Sequence, residues 1–160
     1  KNYNMNITLT EKQILYCKDL AMKRSGSVNH AETKNSINCF KEMPGWHRHY
    51  VGALGEMAYS IYSGKEIDTT TIGRGDDGTD FDNGVDVKTS TSKYKPNLLI
   101  FKKQFERKFA KNYVLAWLKL PVVELIGTIS RDDFNEHKEI KNFGYGDSYS
   151  VDKIHLNKLI

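Results

Sequence analysis

The segment Gly78-Thr-Asp-Phe-Asp-Asn-Gly-Val-Asp-Val-Lys-Thr-Ser90 leaves the backbone little choice. Glycine, aspartate and asparagine crowd its first half, a composition that interrupts helices and strands and favours turns. Its second half, Val85-Asp86-Val87-Lys88, alternates apolar and charged residues. On a strand the valines take one face, and Asp86 and Lys88 take the other. The chain must therefore turn before Val85 and run as a half-buried strand after it.

The length of that turn decides which acidic residues meet. With Asn83-Gly84 alone at the tip, Asp82 faces Val85, Phe81 faces Asp86, and Asp80 falls on the valine face. With Asp82-Asn83-Gly84 at the tip, Asp80 stands across from Asp86 on the same face, and Gly84 suits the left-handed residue such a loop requires. Carboxylates placed so closely repel unless a cation lies between them. The longer loop is the expected one.

Other elements follow from periodicity. Thr8-Leu-Thr10-Glu11 offers a capping box for a first helix, with Ile14, Cys17, Leu20 and Ala21 on one side, running to about Lys23 and ended by Ser25-Gly26-Ser27. Asn29 to Phe40 is polar and fits a short helix at most. After a break at Met43-Pro44-Gly45, Val51, Leu54, Ala58, Ile61 and Tyr62 form the apolar stripe of a second helix that stops at Ser63-Gly64. Strands are expected at Val85–Ser90 and Leu98–Phe101, and a basic helix around Lys103–Ala110. Tyr113–Leu118 is wholly apolar, as a central strand would be, and beyond Pro121 its neighbour is Val123–Ile129. Arg131-Asp132-Asp133-Phe134 opens a short helix or turn, and Tyr145 to Ile160 is expected to pack on the outside. With no repeat or linker, residues 1–160 are expected to form one domain of α/β (α+β) class, a mixed central sheet flanked by helices.

At 160 residues, 39% hydrophobic and 28% charged, the composition is that of a globular protein with an adequate core. No apolar run is long enough to span a bilayer and nothing resembles a signal peptide, so no membrane association is expected. The chain begins at Lys1 rather than Met, and a start upstream of it is expected. Cys17 and Cys39 lack CxxC spacing, which points to a reduced, intracellular (cytoplasmic) protein. Net charge is +4, a weak preference for polyanions, but its distribution is uneven. Lys93, Lys95, Lys102, Lys103, Arg107, Lys108 and Lys111 follow the Asp/Lys strand directly, with Glu106 the one acid among them. This suits a phosphate track beside an acidic centre, and equally a solvated amphipathic helix.

Asp86 suits a hard cation, to which the backbone carbonyl of Val87 could add an oxygen. Lys88 beside it would orient or help deprotonate a water and steady charge on a phosphate, so the strand suits metal-assisted phosphodiester hydrolysis. Asp-x-Lys alone is common, and an exposed ion pair would serve as well. Glu56 is the one charged residue between Val51 and Gly64. It lies nearly opposite the apolar stripe, among Gly52, Ala53, Ser60 and Ser63. Either it is an incidental surface residue, or the sheet's edge or a nucleic-acid backbone approaches closely there. No register through Asp76, Asp77, Asp80 or Asp82 meets the calcium-loop pattern. Cys17, Cys39, His47 and His49 lack zinc spacing. His47-Arg48-His49, expected ahead of the second helix, Gly73-Arg74-Gly75 and Gln104 are peripheral candidates for phosphate or DNA contact, the first two equally readable as exposed or flexible loop. Trp46 and Trp117 read as packing residues, Trp46 also as a base-stacking candidate.

Taken in order, Gly52-Ala-Leu-Gly-Glu56-Met-Ala on a helix, Gly78-Thr-Asp80-Phe, and Val85-Asp86-Val-Lys88-Thr-Ser90 resemble the PD-(D/E)XK nuclease superfamily over roughly residues 50–130. The resemblance implies a restriction-endonuclease-like fold and a magnesium-dependent deoxyribonuclease, manganese substituting for magnesium. It further implies that Asp80 and Asp86 bind metal, that Glu56 completes the shell, and that Lys88 assists the nucleophilic water. The third motif carries Asp where Glu is commoner, and Gln104 is followed by Lys108 rather than the tyrosine of a RecB-like exonuclease. An endonuclease acting on DNA is therefore the leading expectation, with Lys93, Lys95, Lys102, Lys103, Arg107 and Lys108 on the phosphates. A homodimer is compatible with it, and Lys/Asn-rich composition suits a phage or mobile element. An exonuclease of the same fold, a non-catalytic DNA-binding module and a hydrolase of another phosphate ester are the rivals.

Overall fold

The computed structural model describes residues 5–26, 45–69 and 79–160. The expected helix between Asn29 and Phe40, the Met43-Pro44 step, Cys39, the Gly73-Arg74-Gly75 loop, and Asp76, Asp77 and Gly78 lie outside them. In chain order the elements are β1 (Met5–Thr8), α1 (Glu11–Gly26), α2 (His47–Ser63), β2 (Val85–Ser90), β3 (Leu98–Phe101), α3 (Lys102–Arg107), β4 (Asn112–Lys119), β5 (Val122–Ser130), α4 (Arg131–His137), β6 (Glu139–Asn142) and β7 (Asp147–Val151), with a short 3-10 turn at Lys153–His155.

Mixed α/β structure, with two sheets and four helices among the described residues, is the result. The larger sheet has the order β1-β5-β4-β2, and the smaller the order β3-β7-β6. β2 runs parallel to β4 from Val85↔Asn112 to Ser90↔Trp117, while β4 and β5, and β5 and β1, are antiparallel. No described helix is long and apolar enough to cross a membrane.

The apolar run in β4 is explained by its two neighbours in depth. Val114 and Ala116 join a core with Cys17, Leu20, Leu54, Ala58, Val85 and Val87, beneath α1 and α2. Tyr113 and Leu115 join a second core with Leu98, Ile100, Phe105, Phe134 and Val151, on the side of the smaller sheet. A strand that feeds two cores has no polar face to display. β2 feeds only the first core, so its alternate residues, Asp86 and Lys88, remain for other work.

Several boundaries differ from expectation. Thr10, not Thr8, caps α1: its Oγ1 accepts from the Gln13 amide (3.1 Å), and Gln13 Oε1 accepts from the Thr10 amide (2.9 Å). The residues before it form β1, whose Met5 and Ile7 pack on the first core. β7 replaces the external tail, because Tyr149 and Val151 are buried in the second core and the strand bridges β3 and β6. The apolar stripe of α2 is also rotated. Ala53, Leu54, Gly55, Glu56, Ala58 and Tyr59 are buried, while Ile61 is exposed. Gly64 ends α2 in the left-handed conformation, its amide donating to the Ser60 carbonyl.

Candidate active site

Val85 is preceded by the longer of the two possible loops. The Gly84 amide donates to the Phe81 carbonyl and the Phe81 amide to the Val85 carbonyl, leaving Asp82, Asn83 and Gly84 at the tip. Gly84 has φ +82°, and a Cβ there would lie 2.8 Å from Lys111 Cγ, so conformation and space both require glycine. The Asn83 side chain braces the loop, accepting from the Val85 amide and donating to Tyr59 Oη on α2. Phe81 packs edge-on against the Tyr59 ring at 4.7 Å, and Lys65 pairs with Asp82 at 2.8 Å. The turn is thus moored to α2, the helix that carries Glu56.

Pairing stops after Phe81. In a continued hairpin the Val87 amide would donate to a backbone carbonyl; here it donates to Asp80 Oδ2 at 2.7 Å. Asp80 therefore reaches the outer edge of β2 instead of standing over Asp86 in a regular ladder. The Val87 carbonyl projects to that edge too, since the two backbone groups of one strand residue point the same way. Burial raises the Asp80 pKa well above its ordinary value, reinforced by the charges of Glu56 and Asp86, against the pull of Lys88. Those partners come from α2, which carries Glu56, and from β2, which carries Asp86 and Lys88.

Two cations hold the flanking carboxylates. Lys88 Nζ lies 2.7 Å from Asp86 Oδ2, and both side chains are largely buried. Arg24 Nη1 donates to Glu56 Oε2 at 2.8 Å, and its Nη2 donates to the Asp68 carbonyl at 2.7 Å. Burial opposes the Arg24 charge, but Glu56, Asp80 and Asp68 overcome it and its pKa is raised. Among the described residues, no group of three or more His, Cys, Asp or Glu side chains stands ready to hold a metal ion. The donors nonetheless match a hard dication in kind, being carboxylate and carbonyl oxygens around a crowded acid.

Glu56 is buried at 7% exposure, so the incidental-surface alternative for it is removed. What approaches its helix is the sheet: a Cβ on Gly55 would fall 1.9 Å from Thr89 Oγ1 on β2. His49, two turns before Glu56 on α2, lies within the helix rather than ahead of it. Its Nε2 is buried without a partner, and burial, with Arg48 and Arg24, pushes its pKa down to about 4.

Of the basic candidates, Lys108 lines a crevice with Asp86, Gln104, Phe109 and Tyr113. Lys102, Lys103 and Arg107 ride on α3, and Lys93 and Lys95 occupy the exposed β2–β3 connection. Trp46 packs between His47 and Tyr50, and Trp117 Nε1 donates to the Ser92 carbonyl. Arg24 was not among the sequence candidates. Its signal was legible: with Cys17, Leu20 and Ala21 it continues the inward face of α1, an unusual place for a guanidinium. Arg131 was missed too, and its role is structural. It donates to the Phe105 and Lys108 carbonyls and to Tyr113 Oη.

Compared with protein-family models, curated proteins and solved structures, the chain finds no match.

Proposed function

We propose that this protein is a magnesium-dependent deoxyribonuclease of the PD-(D/E)XK type, acting as an endonuclease on DNA. The observation that carries the reading is the bond from the Val87 amide to Asp80, which holds this acid at the residue flanked by the Asp86–Lys88 ion pair and within reach of the charges of Glu56 and Asp86. Crowding an acid against other acids costs stability, and beyond the one bond to the Val87 amide a structural hairpin gains nothing from it. A site that receives a cation does.

Asp80, Asp86 and the Val87 carbonyl are the oxygens that would hold the ion, with Glu56 behind them. When bound, magnesium supplies Lewis-acid polarisation of the phosphodiester and a more acidic water. Lys88 is ion-paired to Asp86 in this arrangement. Its task is to donate hydrogen bonds to the attacking water and the phosphate oxygens, aligning one and steadying charge on the other. Arg24 keeps Glu56 oriented from the α1 side. Lys108 and the α3 lysines supply positive charge along the approach to Asp86.

Purified protein with magnesium or manganese, assayed on linear, branched and single-stranded DNA, tests the proposal. Cleavage should depend on the divalent ion and fall at least a hundredfold in Asp86→Ala and Lys88→Ala, roughly the loss expected for removing a key electrostatic group. Wild-type protein that cuts no DNA, or variants that cut as well as wild type, would remove the assignment. Salt-sensitive DNA binding without cleavage would favour a non-catalytic binding module.

A further inference from the structure

An exposed aromatic residue is among those lining the small crevice that Asp86 also lines. Phe109 lines it together with Asp86, Gln104 and Lys108, yet the residue is 67% exposed. Single exposed apolar residues are ordinary on protein surfaces. Phe109 differs in being exposed and held at both ends. Arg131, donating to the Lys108 and Phe105 carbonyls, clamps the chain immediately before it. Ala110, immediately after it, is buried in the second core. The same Arg131 guanidinium lies 5.1 Å from the Phe109 ring centroid. The backbone therefore presents the ring instead of letting it fold inward, although an apolar core is adjacent.

The surroundings identify what such a ring would meet. Lys108 is its chain neighbour in the crevice, Lys111 follows two residues later, and Lys102, Lys103 and Arg107 lie on the helix before it. A flat apolar face within basic charge matches a nucleobase attached to its phosphate, not an apolar peptide. Base pairs in continuous duplex keep both faces stacked and offer no free face to a side chain, whereas an unpaired or frayed base does.

We propose that Phe109 is a stacking platform for an unpaired base next to the phosphate that Lys88 contacts beside Asp86, so that the preferred substrate is DNA with a single-stranded or branched segment at the cut. This rests on the nuclease reading and adds the substrate class to it.

The test is equilibrium binding in EDTA, which separates stacking from cleavage. Fluorescence anisotropy is measured with a labelled single-stranded oligonucleotide, a branched substrate and a blunt duplex, for wild type, Phe109→Ala, Phe109→Leu and Phe109→Tyr. Loss of the stacked base should weaken single-stranded and branched binding by between about fivefold and a hundredfold in the Ala and Leu variants. Tyr should retain binding, and duplex affinity should change less than about twofold, because the phosphate contacts persist. The Leu variant keeps apolar bulk, so its failure marks the aromatic face as the requirement. Equal losses on all substrates, no loss on any, or full function in Phe109→Leu would overturn the proposal. Phe109-dependent binding without magnesium-dependent cleavage would overturn the nuclease reading alone, and cleavage indifferent to Phe109 would overturn the stacking role alone.

Discussion

Asp80 accepts the Val87 amide at 2.7 Å, closing the edge of β2 with a side chain where a backbone carbonyl would ordinarily serve. One consequence is that the acid cannot retreat from Glu56 and Asp86 without leaving a strand amide unpaired. The crowding is therefore built into the backbone and can be measured.

In EDTA, Asp80→Asn should be more stable than wild type at neutral pH. The amide oxygen can still accept from Val87, while the charge conflict with Glu56 and Asp86 is gone. Because the folded Asp80 pKa lies above its unfolded value, wild-type stability from this group should fall as pH rises from the ordinary carboxylate range through the raised pKa. Thermal melts against pH for the two proteins should show that difference. Magnesium should raise the melting temperature of wild type and leave Asp80→Asn nearly unmoved; equal metal shifts would argue against Asp80 as a ligand.

His49 works in the opposite direction. Its imidazole is pushed down to about 4, below the ordinary histidine value, so the unfolded chain takes up the proton first. The stability that neutral His49 allows is present above about 6.5 and is lost as pH falls toward 4. His49→Gln should flatten that acid-side loss in chemical denaturation curves at pH 7 and pH 5. An unchanged slope would show that His49 is not the group responsible.

Arg24→Met leaves Glu56 buried beside Asp80 without its cation. Breaking a buried pair from one side typically costs about 3 kcal/mol, and urea denaturation at neutral pH should show a loss of that order. Adding Glu56→Gln should recover much of it, a coupling that a double-mutant cycle isolates. Independent, additive losses would mean that the pair measured at 2.8 Å contributes little.

Gly55→Ala would drive a Cβ into Thr89 Oγ1 at 1.9 Å and push α2 off β2. Overpacking of this kind costs about 1–3 kcal/mol, and here it should also move Glu56 relative to Asp80 and lower cleavage. Thr89→Ala removes the hydroxyl, which is buried without a partner, and should relieve part of the clash in the double variant. Gly55→Ala with wild-type stability and activity would show that helix and strand can separate freely.

Much of this was legible from the chain alone, and each legible feature is local. Gly84 required a left-handed position, alternation in Val85–Lys88 placed two valines inward, and the unbroken apolar run in β4 required cover on both faces. Short-range sterics and side-chain period decide such matters before any tertiary contact forms. The sequence also singled out Glu56 by its isolation among small residues, without showing whether water or the sheet lay opposite it.

Tertiary structure decided the rest, because those features depend on residues far apart in the chain. Packing rotated the buried stripe of α2, brought Thr89 against Gly55, and turned Glu56 inward toward Arg24. Pairing with β3 made a core strand of the mixed-polarity β7. Most of all, the edge of β2 drew Asp80 into its backbone, out of the regular ladder that alternation implied. Alternation specifies which face a residue occupies once a strand is formed. Only the competition for a partner at the Val87 amide settles where that strand's pairing ends.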